Sequence, residues 1–312
     1  MAASASAAST PTHVTAVVTA SSNSGGACVA ALLNELKSKT KVRAVFRSEA
    51  KAADIKAEAA GRGDVEVITG VDAADKASLA PAFAGANCAV IVTPHDAAAG
   101  MGRDADLTAN MINAAVEAGV KHIVYVGSWT VIAPEAVSVI ASRFVPSEAL
   151  LESLSASHDV TWTVLRSGYF FNNFAGMLAS VRKGDSMVFP DLKIPAMDPR
   201  DIGRVAAHVC AAHGKGHEGK TYDISGSEML SGASLASALS EALGRTIRHV
   251  SVPAEEYSKP LPPAFKELIS YLSEKQEAAI PISSDVEEVT GRAPVKFVDW
   301  AREHARLFAL DA

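Results

Sequence analysis

Short apolar, β-branched runs alternate along this chain with longer stretches of helical periodicity. The first run, Val14–Val18 (VTAVV), reads as a strand buried on both faces. It passes through the polar residues Ser21, Ser22, Asn23 and Ser24 to Gly25 and Gly26. Beyond them Val29, Leu32, Leu33 and Leu36 recur at helical spacing. Further strands are expected at Lys41–Phe46, Val65–Thr69, Cys88–Val92, His122–Val126 and Val160–Leu165. Helices are expected between them at Ala50–Ala60 (ended by Gly61–Gly63), Leu79–Phe83, Asp104–Gly119 and Ser147–Ser157. This alternation predicts an α/β fold: a Rossmann-type, doubly wound parallel sheet with right-handed crossovers and helices on both faces.

The regularity breaks after Arg166. Ser167–Pro199 reads as loop-rich and holds the aromatic residues Tyr169, Phe170, Phe171 and Phe174. Helices are expected at Asp201–His213, Ala233–Leu243, Pro263–Lys275, around Ser284–Thr290 and at Lys296–Leu310, with strands at Lys220–Ile224 and Ile247–Val252. The expected division is a disordered tail (1–12), a nucleotide-binding domain (13–166 plus 196–226) and a smaller, discontinuous, mostly helical cap lobe (167–195 plus 227–312). A ligand would lie over the C-terminal ends of the strands, between domain and cap.

Composition narrows the function classes. The 312 residues are 48% hydrophobic and 21% charged, and the net charge is −6, as in an ordinary soluble protein. No basic patch of the kind that tracks a phosphate backbone is visible, which argues against a nucleic-acid partner. No apolar run approaches a membrane span. Cys28, Cys88 and Cys210 are far apart in sequence and lack metal spacing, so they read as buried thiols in a reducing, cytoplasmic compartment. The first dozen residues lack both an arginine and an apolar core, unlike a signal peptide, and a transit peptide is the lesser reading.

The strand–turn–helix at 14–33 is the first half of a nucleotide-binding βαβ unit, with free N–H groups and a positive dipole end for a pyrophosphate. Its glycine pattern is incomplete. Ala20 or Ser21 stands in the first glycine position and Ser22 or Asn23 in the second, only Gly25 and Gly26 remain, and the turn reads one residue short. Arg47 ends the second strand, 21 residues beyond Gly26 (47 − 26), where an NAD-binding domain places an acid on the ribose hydroxyls. An arginine there suits a 2′-phosphate, and Lys51 can add charge, so the expected cofactor is NADP(H). Asp72 follows the third strand, within reach of an adenine amine or as a turn cap. Thr93, Pro94 and His95 follow the fourth strand and should flank the nicotinamide ribose, with His95 a weak candidate for proton or hydrogen-bond donation. Ser128 follows the fifth, where a hydroxyl can polarise a substrate carbonyl. No Tyr-x-x-x-Lys follows it, so a short-chain reductase's usual proton donor is missing. His208, His213 and His217 lack metal spacing, and Asp285, Glu287 and Glu288 read as an acidic first helical turn; no metal is expected.

Several segments together resemble the NmrA-like family of atypical short-chain dehydrogenases/reductases. They are VTASSNSGG, AVFRS, DAADKASLAPAFAGANCAVIVTP, AVEAGVKHIVYVGS, TVLRSGYFFNNF and SSDVEEVTGRAPVKFVDWAREHA. The resemblance implies NADP(H) binding by a Rossmann domain with a small substrate lobe. It implies a phosphate turn at Ser21–Gly26, a 2′-phosphate clamp at Arg47 and Asp72 near adenine. Thr93–His95, Tyr169, Phe170 and Asn173 would lie on the nicotinamide side. The family often carries a lysine on the helix after Ser128, where this chain has Glu148 or a neighbour. Members include quinone and azo-compound reductases and cofactor-sensing regulators. The expected function is therefore NADPH-dependent reduction of a small planar acceptor such as a quinone, against a cap lined by Trp129, Tyr169, Phe170, Phe171 and Phe174. The alternatives are an NADP(H) sensor with a regulatory partner and a pseudoenzyme that binds no dinucleotide. Helical surfaces in this fold often pair, so a homodimer is compatible.

Overall fold

The structure is a computed structural model that describes residues 13–35, 40–60, 64–95 and 101–309. The tail 1–12, Leu36, Gly61–Gly63 and Leu310 lie outside the described residues. The first half of the chain runs β1 (His13–Val17), α1 (Asn23–Glu35), β2 (Thr40–Val45), α2 (Glu49–Ala59), β3 (Val65–Ile68), α3 (Lys76–Phe83), β4 (Cys88–Val92), α4 (Asp104–Glu117), β5 (His122–Ser128), α5 (Ser138–Ala141), α6 (Val145–Ser157) and β6 (Thr161–Ser167). There follow α7 (Leu178–Lys183), β7 (Ser186–Pro190), β8 (Lys193–Ile194), α8 (Pro199–Ala211), β9 (Lys220–Ile224), β10 (Leu230–Ser231), α9 (Gly232–Leu243), β11 (Arg248–Val252), α10 (Ala254–Ser258), α11 (Pro263–Lys275), α12 (Asp285–Thr290) and α13 (Phe297–Glu303).

Seven strands form one parallel sheet in the order β3-β2-β1-β4-β5-β6-β9. The order reverses between β1 and β4, which opens a crevice at their C-terminal ends. Apolar residues fill both faces. Ala16, Ile91 and Tyr125 pack into one cluster with α3 and α4, and Val17, Val90 and Val124 into another with α1 and α8. Small residues let α1 and α8 touch: a Cβ on Gly203 of α8 would stand 2.3 Å from the Ala27 carbonyl oxygen of α1.

The strand and helix pattern expected from hydrophobic spacing is present, with ends shifted by caps. α3 begins at Lys76 because the Asp75 carboxylate accepts from the Ala77 N–H, and α8 begins at Pro199 because Asp198 accepts from the Arg200 N–H. The segment after Arg166 holds more order than its sequence suggests. β7 (SMVFP) pairs in parallel with β11, and the two-residue β8 pairs antiparallel with β10. The helix expected to run to Leu310 stops at Glu303, and a short 3₁₀ turn follows at Ala305–Phe308.

The lower end of the sheet carries buried polar groups. Cys88 and Cys210, distant in sequence, bring their sulfurs to 3.3 Å, and all three cysteines are buried and free. Burial pushes the Cys28 thiol up to about 12. His122 hydrogen-bonds with the Thr161 and Thr163 hydroxyls at 2.8 and 3.0 Å, and burial pushes its pKa down to about 4. His13, whose ring meets that of His213 at 3.9 Å, is likewise pushed down to about 4 by burial.

Unfolded histidines take up a proton near 6.5, so this stability is complete above that pH and is lost as the pH falls towards 4. His122 contributes most, because His13 is only partly buried and so more screened. Asp201 opposes them. Burial raises its pKa to about 6, so its contribution is present at low pH and lost as the pH rises through 6. Urea melts at about pH 5 are expected to give a stability about 1–2 kcal/mol below that at about pH 7, and His122→Asn should shrink that difference.

Candidate functional site

Two recesses flank the β1/β4 switch point, one on either side of the turn after β1. The first, about 290 Å³, is lined by Thr19, Ser21, Arg47, Ser48, Lys51, Asp72, Pro94 and His95, among others. The second, about 310 Å³, is lined by Ser22, Asn23, Ser24, Thr93, Ser128, Trp129, Thr130, Arg143, Phe144, Tyr169, Phe170, Asn173, Phe265 and Leu268, among others. Gly25 and Gly26 line neither and sit behind the turn, in the first turn of α1.

The turn resolves the glycine ambiguity of the sequence. The left-handed position falls on Thr19 (φ 60°), one residue before the expected Ala20 or Ser21, so the turn is not short. A β-branched residue there is strained, and the site keeps it with a bond from Thr19 Oγ1 to the Val92 carbonyl at 3.0 Å. Ser22 holds the second glycine position. Its hydroxyl donates to the Thr19 carbonyl at 2.9 Å and accepts from the Gly25 N–H at 3.0 Å. Gly25 serves close packing: a Cβ there would stand 2.2 Å from the Thr19 carbonyl oxygen. The N–H groups of Asn23 and Ser24 bond to no acceptor among the described residues and open the helix towards the recess. These donors fit a diphosphate, and the exposed Arg47 and nearby Lys51 fit a further phosphate in the first recess.

Asp72 spends one carboxylate oxygen on the Ala74 N–H at 2.9 Å, so it caps its own turn while lining the first recess. His95 departs from expectation. It lines the recess of Arg47, not that of Ser128, and its Nδ1 lies 3.4 Å from Asp104. Thr93 joins a buried chain. Its hydroxyl lies 2.9 Å from Tyr125 OH and 3.3 Å from Thr108 Oγ1, and Thr108 donates its proton to the Asp104 carbonyl at 2.8 Å. Burial pushes the Tyr125 phenol up to about 12, so it stays protonated and can donate.

In the second recess the Ser128 hydroxyl accepts from both the N–H and the hydroxyl of Thr130, at 3.3 and 3.0 Å. Its own O–H is thereby left as the donor for a ligand. Burial also raises the Tyr169 phenol. The aromatic wall is smaller than expected. Phe171 and Phe174 pack against Phe297, Trp300 and Phe189 in the core, because their i, i+3 spacing on a three-residue-per-turn 3₁₀ segment puts both on its inward face. Glu148 points neither outward nor at the recess. It accepts from Arg166 Nε and Nη2 at 3.2 and 2.7 Å, which neutralises a carboxylate beside Gly127. Sequence reasoning missed Thr130, Arg143, Phe265 and Leu268. They come from a 3₁₀ turn, a loop and α11, brought together only by the chain's path.

A model of the NmrA-like family matches residues 11–301. The chain belongs to the NmrA-like family. Among its relatives is a (4-alkanoyl-5-oxo-2,5-dihydrofuran-3-yl)methyl phosphate reductase of Streptomyces griseus, 30% identical over 258 residues, covering 78% of this chain and 85% of that protein. An NAD(P)H azoreductase of Xenophilus azovorans is 29% identical over 292 residues, covering 91% and 95%. The fold matches a Citrobacter triphenylmethane reductase solved with NADP(H), with a TM-score of 0.75, 24% identity and coverage of 94% and 99%. In this family member the two recesses lie where the strand order reverses, between β1 and β4.

Proposed function

We propose that the protein is an NADPH-dependent oxidoreductase that reduces a small, planar, conjugated acceptor of the quinone type. The observation that carries this reading is the pair of recesses on either side of the turn after β1, one lined by Arg47 and the other by the donor hydroxyl of Ser128. The reductase relatives support it. Asn23 and Ser24 N–H groups hold the diphosphate, Arg47 and Lys51 the 2′-phosphate, and Asp72 lies by the adenine. Pro94 and His95 flank the same side, while Thr93, Tyr169, Phe170 and Asn173 border the nicotinamide end. Bound NADPH supplies the hydride. Ser128 donates a hydrogen bond to the acceptor oxygen and so favours the negative charge that develops there. Trp129 and Phe170 line the recess that would hold a conjugated ring. The proton comes from water, because no residue here plays the tyrosine–lysine role.

The test is loss of NADPH absorbance across a panel of quinones and azo compounds; no acceptor above background would end the reading. Ser128→Ala is expected to lower kcat/KM for the best acceptor about tenfold, the value of one lost hydrogen bond, with the KM for NADPH unchanged. A regulatory reading rests on the strained Thr19 and the Ser22 hydroxyl committed within the turn. It requires unequal affinities for NADPH and NADP+, since equal binding shifts no population.

A further inference from the structure

We infer that Arg143 selects acceptors that carry an anionic oxygen group, such as a carboxylate or sulfonate, beside the reducible ring. The word acceptor rests on the reading above; the anion site does not. Among the described residues that line the second recess, Arg143 is the charged one, and no carboxylate lines it. Its guanidinium is held from behind. Nε donates at 2.7 Å to Asp104 Oδ2, and the Asp104 side chain is fully buried at the start of α4. The guanidinium carbon also lies 5.0 Å from the Phe144 ring centroid.

These two contacts fix the plane of the group and use one of its five donors. Nη1 and Nη2 bond to no described residue, and the side chain, 15% exposed, lines the recess. An arginine present only to neutralise Asp104 has no need to line a cavity. Two nitrogens without a described partner, on a fixed fork, match the two oxygens of a carboxylate or sulfonate. Ser128 lies on the wall of the same recess, so one small ring system can meet both groups. The Ser128 hydroxyl then takes the neutral oxygen to be reduced, and Arg143 takes the charged substituent.

The experiment is calorimetric titration of the full-length protein, with and without NADP+, using naphthoate, naphthalenesulfonate and the neutral naphthamide. Wild type is expected to bind both anions at least tenfold tighter than the amide, with preference falling as salt rises. Arg143→Lys should keep part of that preference, and Arg143→Gln should bring it to about unity. Arg143→Gln alone strands the buried Asp104, so the paired change Asp104→Asn with Arg143→Gln provides a folded comparison and should also show none. Equal binding of anions and amide by wild type, no binding of any of them, or a preference that survives both glutamine variants would each overturn the inference. So would weaker NADPH binding in Arg143→Gln with the preference intact, which would make Arg143 a cofactor anchor. A preference lost in the variants, in a protein for which no quinone or azo compound raises NADPH oxidation above background, would sustain the anion site and remove the reductase reading.

Discussion

Arg47→Ala is expected to cut the preference for NADPH over NADH by about 10–100-fold, almost entirely through weaker NADPH binding. The magnitude follows from the loss of charge-assisted hydrogen bonds worth about 1.5–3 kcal/mol to a dianionic phosphate. Arg47 is exposed at the end of β2, and no hydrogen bond to another described residue occupies it, so its removal should leave the fold intact. Its neighbour in sequence behaves differently. Arg43 is buried, binds Glu66 of β3 at 3.0 Å and donates to the Ala82 and Ala84 carbonyls, which ties β2 to β3 and to the end of α3. Arg43→Ala should lower stability, with no change in the NADPH/NADH ratio of the folded protein. Fluorescence titration of both variants with NADPH and NADH separates the two roles. Raising salt should weaken NADPH binding by wild type more than by Arg47→Ala, because the grip at an exposed site is screened. Equal NADPH and NADH affinities in wild type would remove the assignment of Arg47.

Much of this architecture is legible in the sequence because its signals are local. A strand buried on both faces needs an uninterrupted apolar run, and CAVIV and HIVYV announce themselves as such. Arg47 is legible because its distance from the glycines is fixed by one helix and one strand. Thr19 was not, because its left-handed backbone goes against the preference of a β-branched residue, and only the surrounding bonds to Val92 and Ser22 explain it. Arg143 and Asp104 meet across 39 residues through no spacing rule. The same holds for Glu148, whose partner Arg166 lies on the neighbouring strand rather than on its own helix. Phe171 and Phe174 misled because aromatic residues near a cap read alike whether they line it or pack beneath it.

Gly25→Ala and Gly203→Ala should both destabilise the protein, yet only the first should abolish cofactor binding. Each added methyl collides with a carbonyl oxygen, Thr19 at 2.2 Å and Ala27 at 2.3 Å, and neither oxygen can swing away as a side chain would. Overpacking of this kind costs about 1–3 kcal/mol, offset in part by the higher helix propensity of alanine, about 1 kcal/mol. The stability losses should therefore be similar. The displaced atoms differ. At Gly203 the push falls on the Ala27 carbonyl, one turn beyond the Asn23 and Ser24 N–H groups, and separates α1 from α8 without touching the Thr19–Ser22 turn. At Gly25 it pushes the Thr19 carbonyl, which the Ser22 hydroxyl grips, and so re-aims the Asn23 and Ser24 N–H groups. Donors moved by about an ångström lose the alignment that a charge-assisted bond requires, so NADPH affinity should fall more than about 100-fold for Gly25→Ala. For Gly203→Ala it should stay within about threefold of wild type. Thermal melts with and without NADPH measure both at once, because a ligand that binds raises Tm and one that does not leaves it unmoved. An NADPH-dependent rise in Tm that survives in Gly25→Ala would show that the turn's geometry does not hold the diphosphate.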